Sequence, residues 1–422
     1  MPLGFGLGGG SVRFGAGAAG GAGAEVRALG AERVLLVSDP AILAAGLVAR
    51  VTDPLEREGI WSELLTVPLG EPTQAVIEEA AAAARDGVFD AVVALGGGSV
   101  IDSAKAIALL LGAGGEIYDY VNAPFGAGRA PSARPLPLVA IPTTAGSGSD
   151  VSAVAVLELT EGAVKTAIAH PWLRPAVAIA DPLLTLTVPP GATAAAGLDV
   201  LAHVVESLTA RPWDDPSRLG AEPTVYAGAN PYSDALCRAA LPLLARGLPC
   251  AVADGDDVAA RTDVMLAATL ANLGAAVAGA HAGHALAYAI ASAGSTLPHG
   301  LLVGLLLPGL ARELYAFDPD RHAAITRLLV GDAGASASEV ARSERLSQAV
   351  EALLAACGAP RPTLDGDPRI VAAEAARQHR LMANAPVGVD QALLERVLAR
   401  EGSRSAAVSG AGRAQSDQPR AV

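Results

Sequence analysis

Asp199 and His203 stand four residues apart in GLDVLAHVVES, a spacing that puts a carboxylate and an imidazole on one face of a helix. His284 and His299 follow in GHALAYAIASAGSTLPHG, 15 residues apart, the first expected on a helix and the second after a turn at Pro298. One oxygen and three nitrogen donors suit a divalent first-row cation, Fe²⁺ or Zn²⁺, with a coordination position left for a substrate oxygen. A lone buried histidine usually just completes a core. Here four of the chain's seven histidines (His203, His281, His284, His299) fall in two apolar helical stretches with few other charges, which favours a built site.

A second constellation is Gly96-Gly97-Gly98-Ser99, after the apolar run AVVAL and before IDSAKAIALLL. Backbone amides at a helix start, unobstructed by side chains and aided by the helix dipole, accept a pyrophosphate. An ordinary glycine-rich turn would read alike, and the run is not the GxGxxG fingerprint. Asp102 and Lys105 fall on the first turns of that helix, where Asp102 also suits the dipole for purely structural reasons. Asp39 ends VLLVSD, where a carboxylate accepts hydrogen bonds from a ribose diol and repels a 2′-phosphate, favouring NAD over NADP. A helix cap before Pro40 is its competing role. The turn from Pro142 to Asp150 carries Thr143, Thr144, Ser147 and Ser149. Those hydroxyls can hold nicotinamide and phosphate groups, or simply build a polar turn. FGAGAAGGAGAE (14–25) has glycines at dinucleotide-like spacing, but no apolar strand of sufficient length leads into it. It is expected to be a loop entering a helix, beside the cofactor groove.

The elements that must position these residues are legible in outline. VLLVSD (34–39), DAVVALGGGS (90–99) and PLVAIPTT (137–144) are short apolar runs ending in Gly, Asp or Thr. They read as buried parallel strands whose carboxyl ends carry a site, with helices such as 73–85 between them. After DPLLTLTVPPG (181–191) strand signals nearly vanish and Ala- and Leu-rich helical stretches take over. Pro189 and Pro190 mark the change physically, since neither donates a backbone hydrogen bond. The expected organisation is an α/β dinucleotide-binding domain with a parallel sheet over 1–188 and an all-α metal-binding and substrate domain over 189–401. A tail at 402–422 has too little apolar surface to offset ordering entropy.

With 422 residues the chain exceeds what one core usually serves. Its 43 Asp and Glu outnumber 30 Lys and Arg, which argues against nucleic acid and anionic membranes as partners. Cys237, Cys250 and Cys357 form no CxxC pair, so a reducing cytoplasm is the expected setting. The opening MPLGFGLGGGSVRFG lacks a basic segment followed by an apolar one, unlike an export signal. The stretch 265–294 has no Asp, Glu, Lys or Arg. Its Ala and Gly content, with Asn272, His281 and His284, predicts a buried helix pair rather than a membrane span.

Taken together, GGGS-x-x-D-x-x-K, PTT-x-G-S-x-S, D-x-x-x-H and H-x-x-x-Y followed by PHG resemble the signatures of the iron-containing alcohol dehydrogenase family, in order from Val12 to about residue 400. The resemblance implies a dehydroquinate synthase-like fold with a metal in the cleft between the two domains. By motif position it implies Asp199, His203, His284 and His299 as metal ligands. Gly97, Gly98 and Ser99 fall at the pyrophosphate and Asp39 at the ribose. Thr143, Thr144, Ser147, Ser149 and Lys165 fall along the cofactor groove. The implied activity is hydride exchange between NAD(H) and a small alcohol, aldehyde or oxo acid by a homodimer or higher homo-oligomer.

Two features depart from the pattern. Tyr288 stands where many relatives carry a histidine proposed to relay a proton, and the interval between His284 and His299 is one residue longer than the common form. His281 offers an alternative ligand or relay. VNAPFGAGRAP (121–131), VYAGANPYSDALCRAAL (225–241) and Tyr288 most resemble the hydroxyacid-oxoacid transhydrogenase branch. That likeness implies an acidic substrate, with Arg129 or Arg134 as carboxylate anchors or as merely solvated loop residues. The alternatives are a zinc-type polyol dehydrogenase of the same superfamily and a non-catalytic nucleotide-binding or assembly protein on the same fold.

Overall fold

The structure is a computed structural model that describes residue 5 and residues 9–218, 225–331, 338–360 and 366–401. The tail expected at 402–422 lies outside the described residues.

Eight strands are present among the described residues: β1 (Ser11–Phe14), β2 (Arg33–Ser38), β3 (Trp61–Thr66), β4 (Ala91–Gly96), β5 (Leu138–Pro142), β6 (Val154–Leu159), β7 (Val164–Ala169) and β8 (Val177–Ala180). Six of them form a sheet in the order β1-β8-β5-β4-β2-β3, with every pair parallel. β6 and β7 form a separate antiparallel hairpin. The interior strands β4, β5 and β8 are buried throughout, and β2 is buried after Arg33. Helices cover both faces, so these strands read as unbroken apolar runs. The edge strands β1 and β3 are largely exposed and lack that signature.

The chain runs outward from β2 to β3, then returns to place β4 on the other side of β2. That reversal opens a crevice beyond the carboxyl ends of β2 and β4, the usual ligand position in such sheets. β4 feeds directly into helix α1 (Gly98–Ala113), whose N-cap is Gly97. The glycine-rich run at 14–25 is a one-turn 3₁₀ helix followed by the helix Ala22–Ala28. Its Gly17 and Ala19 amides donate to the Asp181 carboxylate at 2.9 and 3.1 Å. Those donors are therefore turned to holding the loop together, and neither residue lines the cleft described below.

From Pro190 onward the described chain is helical. The elements that matter are α2 (Pro190–Thr209), α3 (Pro231–Ala253), α4 (Val258–Ala278), α5 (Ala282–Ser292) and α6 (His299–Leu314). Pro190 occupies the first turn of α2, where its missing N–H costs nothing. The charge-free stretch 265–294 is most of α4 plus α5, meeting at 96° through Gly279 at φ 89°. α2, α5 and α6 contribute Leu198, Leu201, Leu286, Leu302 and Leu306, among many others, to one apolar core.

Candidate active site

α2 supplies Asp199 and His203, α5 supplies His284, and His299 is the first residue of α6. Helix periodicity sets the first pair on one face. A close helix crossing brings in His299: a Cβ at Gly300 would lie 2.1 Å from Ala195 O and 2.8 Å from Asp199 Cβ, so only glycine lets α6 approach α2 this closely. Donor atoms of Asp199, His284 and His299 all lie within 4.8 Å of one another. His203 Nε2 is 3.1 Å from His284 Nε2, which in turn is 3.6 Å from Asp199 Oδ1.

The buried Asp199 Oδ1, His203 Nδ1 and His299 Nδ1 have no hydrogen-bond partner. Buried polar atoms are normally satisfied, so convergence of orphaned donors and facing ring nitrogens fits a cation at their centre. Protonation states agree with that fit. Burial pushes the His203 imidazole down to about 4 and holds His299 well below the ordinary histidine range, leaving their lone pairs free. Burial would raise the Asp199 carboxyl, but His203, His284 and His299 outweigh it and hold the group ionised.

Glu206, one helical turn beyond His203, has its carboxylate 1% exposed. It accepts a hydrogen bond from His284 Nδ1 and another from Gly283 N at 2.5 Å. This carboxylate–histidine pair turns the other ring nitrogen, Nε2, toward Asp199 and fixes the tautomer a metal requires. Burial lowers His284, but Glu206 and Asp199 override it and raise the imidazole to about 9, so cation binding there would release a proton.

The cluster forms one end of a cavity of about 530 Å³ whose other end is the amino terminus of α1. Gly98, Ser99, Asp102, Thr144, Ser147 and Ser149 line that second end. Ser149 Oγ donates to Asp102 Oδ1, and Asn272 Nδ2 donates to Gly146 O at 2.7 Å, tying the hydroxyl-rich turn to α1 and α4. A Cβ at Gly98 would fall 2.4 Å from Ser147 Oγ, so the two loops meet with room for backbone alone. A cleft with helix-terminal amides at one end and clustered metal donors at the other suits a dinucleotide whose reactive ring reaches the cation.

Comparison with known proteins points the same way. The profile of the iron-containing alcohol dehydrogenase family matches residues 9–182, and that of the C-terminal region of the Fe-containing alcohol dehydrogenase family matches residues 221–394. Long-chain-alcohol dehydrogenase 1 of Geobacillus thermodenitrificans is 37% identical over 86% of this chain and 88% of its own. The chain belongs to the iron-containing alcohol dehydrogenase family. A mitochondrial hydroxyacid-oxoacid transhydrogenase of Bos taurus is 35% identical over 76% of this chain and 72% of its own. Among solved structures, a 1,3-propanediol oxidoreductase superposes with a TM-score of 0.84 at 27% identity, over 95% of this chain and 100% of that one. A sulfoacetaldehyde reductase of Bifidobacterium kashiwanohense in complex with NAD⁺ superposes at 0.78 with 26% identity, over 96% and 99%.

In this iron-containing alcohol dehydrogenase the remaining residues singled out from sequence fall in several places. Lys165 and Tyr288 line the cleft; Lys165 Nζ sits 2.5 Å from Glu71 Oε1 and 5.5 Å from the Tyr288 ring. The Tyr288 ring is 5.5 Å from that of His299, and burial pushes its phenol upward, which keeps the proton on. Asp39, Gly97, Thr143 and His281 are not among the lining residues. Asp39 caps the helix Pro40–Ala44, its Oδ1 accepting from Ala41 N and Ile42 N at 2.8 and 2.9 Å. His281 is wholly buried behind the cluster, with Nε2 3.0 Å from Thr209 Oγ1 and Nδ1 3.5 Å from Glu206 Oε1. Its placement beside Glu206 suits support of that carboxylate from outside the cleft lining.

Arg129 pairs with Asp119 at 2.8 Å, and Arg134 lies over the Trp172 ring at 5.1 Å; neither lines the cleft, so the loop supplies no carboxylate anchor there. Sequence reasoning passed over Glu71, Glu206 and Arg380, and read Asn272 only as a polar member of a buried helix pair. Glu206 carried a usable signal, a carboxylate three residues after His203 on an otherwise apolar helix. Arg380 carried none, because only the fold brings it to the site.

Proposed function

We propose that this oxidoreductase exchanges hydride between NAD(H) and a small alcohol or hydroxy acid and the corresponding aldehyde or oxo acid. The observation that carries the reading is the continuity of one cavity from the α1 amino terminus to Asp199, His203, His284 and His299. Those four side chains would hold Fe²⁺, supported by the family, by the donor group of Asp199, His284 and His299, and by His203 Nε2 lying 3.1 Å from His284 Nε2. A divalent cation held there lowers the energy of a developing alkoxide, and the nicotinamide supplies the redox chemistry.

The protein's own contribution is positional. The amides and hydroxyls around Gly98, Ser99, Thr144 and Ser147 fix one end of the dinucleotide, and the narrow cleft confines substrate and ring together. Tyr288, kept protonated by burial, can donate a hydrogen bond to an oxygen in the cleft. NAD rather than NADP rests on Asp39, which lies outside the cleft lining and caps Pro40–Ala44 through Oδ1, its charge at the end of β2 disfavouring a 2′-phosphate brought beside it. A homo-oligomer is supported by the unpaired edge of β3, which exposes Trp61 and Leu64. A reducing cytoplasmic setting is supported by three cysteines that remain free.

A zinc-type polyol dehydrogenase is the second reading, and one observation favours it. The tight donor group comprises three residues, Asp199, His284 and His299, as in catalytic zinc sites. Elemental analysis of protein purified without added metal separates the two. The activity test follows NADH absorbance with a panel of short aldehydes and 2-oxo acids, with Fe²⁺ or Zn²⁺ supplied. Turnover should depend on the cation and disappear in His203→Ala. Full turnover by metal-free protein would refute the scheme, and tight NADH binding without any hydride transfer would support the non-catalytic alternative.

A further inference from the structure

Arg380 sits in the one-turn helix His379–Met382, far along the chain from every motif above, yet it lines the active-site cleft. Its Nη1 donates to Tyr226 Oη at 2.5 Å, its guanidinium lies 5.3 Å from that ring, and it also interacts with Tyr288. No Asp or Glu among the described residues pairs with it. The other lining cation, Lys165, is neutralised by Glu71. A guanidinium is always charged and its planar fork matches a carboxylate, so a half-buried Arg held by two phenols rather than an acid has an anion-binding face left over.

Position specifies which anion. Tyr288 has the His299 ring beside it and also neighbours Arg380 and Lys165. Arg380 and the metal cluster thus line one cleft and share Tyr288 as a neighbour, so a substrate whose oxygen lies at the cluster can turn a carboxylate toward the guanidinium. Tyr226 is itself wedged into place: a Cβ at Gly279 would lie 2.3 Å from its Cγ, so the α4–α5 bend fixes the phenol that aims Arg380.

We propose that Arg380 is the carboxylate anchor of this cleft and selects hydroxy acids and oxo acids over uncharged alcohols and aldehydes of the same length. The proposal rests on the hydride-transfer reading above and narrows its substrate class. The probes are a short series of oxo acids of increasing chain length, each paired with its primary amide as a neutral partner of matching shape. Unmodified protein loaded with metal and NADH should favour the acids, by kcat/KM, by about 100-fold for the best-fitting length. Arg380→Met should erase most of that ratio, chiefly through KM for the acids, and Arg380→Lys should recover part of it.

Equal turnover of acids and amides by the unmodified protein would overturn the proposal while leaving hydride transfer standing. So would an unchanged ratio in Arg380→Met, or an equal weakening of NADH affinity, which would make the guanidinium a cofactor contact. Failure to turn over any probe while short aldehydes are still reduced would overturn the proposal alone, and failure with aldehydes as well would remove the underlying reading and the proposal with it.

Discussion

A metal site is only as good as the orientation of its ligands, and Glu206 is the residue that orients His284. It keeps Nδ1–H engaged and Nε2 aimed at Asp199 and His203. Glu206→Gln keeps the volume and removes the charge, so metal affinity should weaken by roughly 10- to 100-fold, read by competition with a chromophoric chelator. Undiminished affinity would make Glu206 a packing residue. Asp199→Asn should act more severely and leave the purified protein nearly metal-free. Asp199 and His203 are legible in the sequence because D-x-x-x-H is a local pattern with a physical reason, the shared helix face. Glu206 obeys the same rule but carries no motif by itself. Arg380 and Glu71 are not legible there, since their relation to the cleft exists only across long separations in the chain.

Elements meet at positions where side chains must be absent. Gly300 lets α6 close on α2, and a methyl there would strike Ala195 O and Asp199 Cβ. Gly300→Ala should cost roughly 1–3 kcal/mol in urea unfolding and should also lower metal occupancy, because His299 is displaced along with its helix. Loss of stability without loss of metal would show that the ligands can follow the helix. At the other end of the cleft, Gly98→Ala crowds Ser147 and should weaken NADH binding about tenfold or more, measured by nicotinamide fluorescence. The β4–turn–α1 unit is legible because a buried strand, a glycine run and a helix follow one another without interruption. The glycine run at 14–25 lacks such a leading strand and is the loop entering a helix that this predicts, with the Gly17 and Ala19 amides taken by Asp181.

Stability of the whole molecule should respond to acid and to metal in ways the geometry fixes. His322 is buried, its Nδ1 is 2.8 Å from Asp318 O, its Nε2 has no partner, and burial lowers its pKa. The unfolded chain takes up this proton near the ordinary histidine value of about 6.5, the folded protein only at lower pH. The folded state therefore binds fewer protons. The contribution of His322 is fully present above about pH 6.5 and is lost as pH falls toward and below the depressed folded value. His322→Gln should flatten that limb of the stability–pH curve in equilibrium unfolding, and an unaltered slope would assign the acid sensitivity elsewhere. Because the donor cluster joins α2, α5 and α6, bound metal stabilises the fold by mass action, about 2.7 kcal/mol at a hundredfold excess over its dissociation constant.

The central assertion is that Asp199, His203, His284 and His299 grip one cation at the end of the dinucleotide cleft. Anomalous diffraction at the metal absorption edge, from crystals grown with NAD, tests it most directly. The account predicts a single strong peak among those four side chains, with nicotinamide density beside it. A peak at other residues, or a nicotinamide ring bound away from the metal, would contradict it.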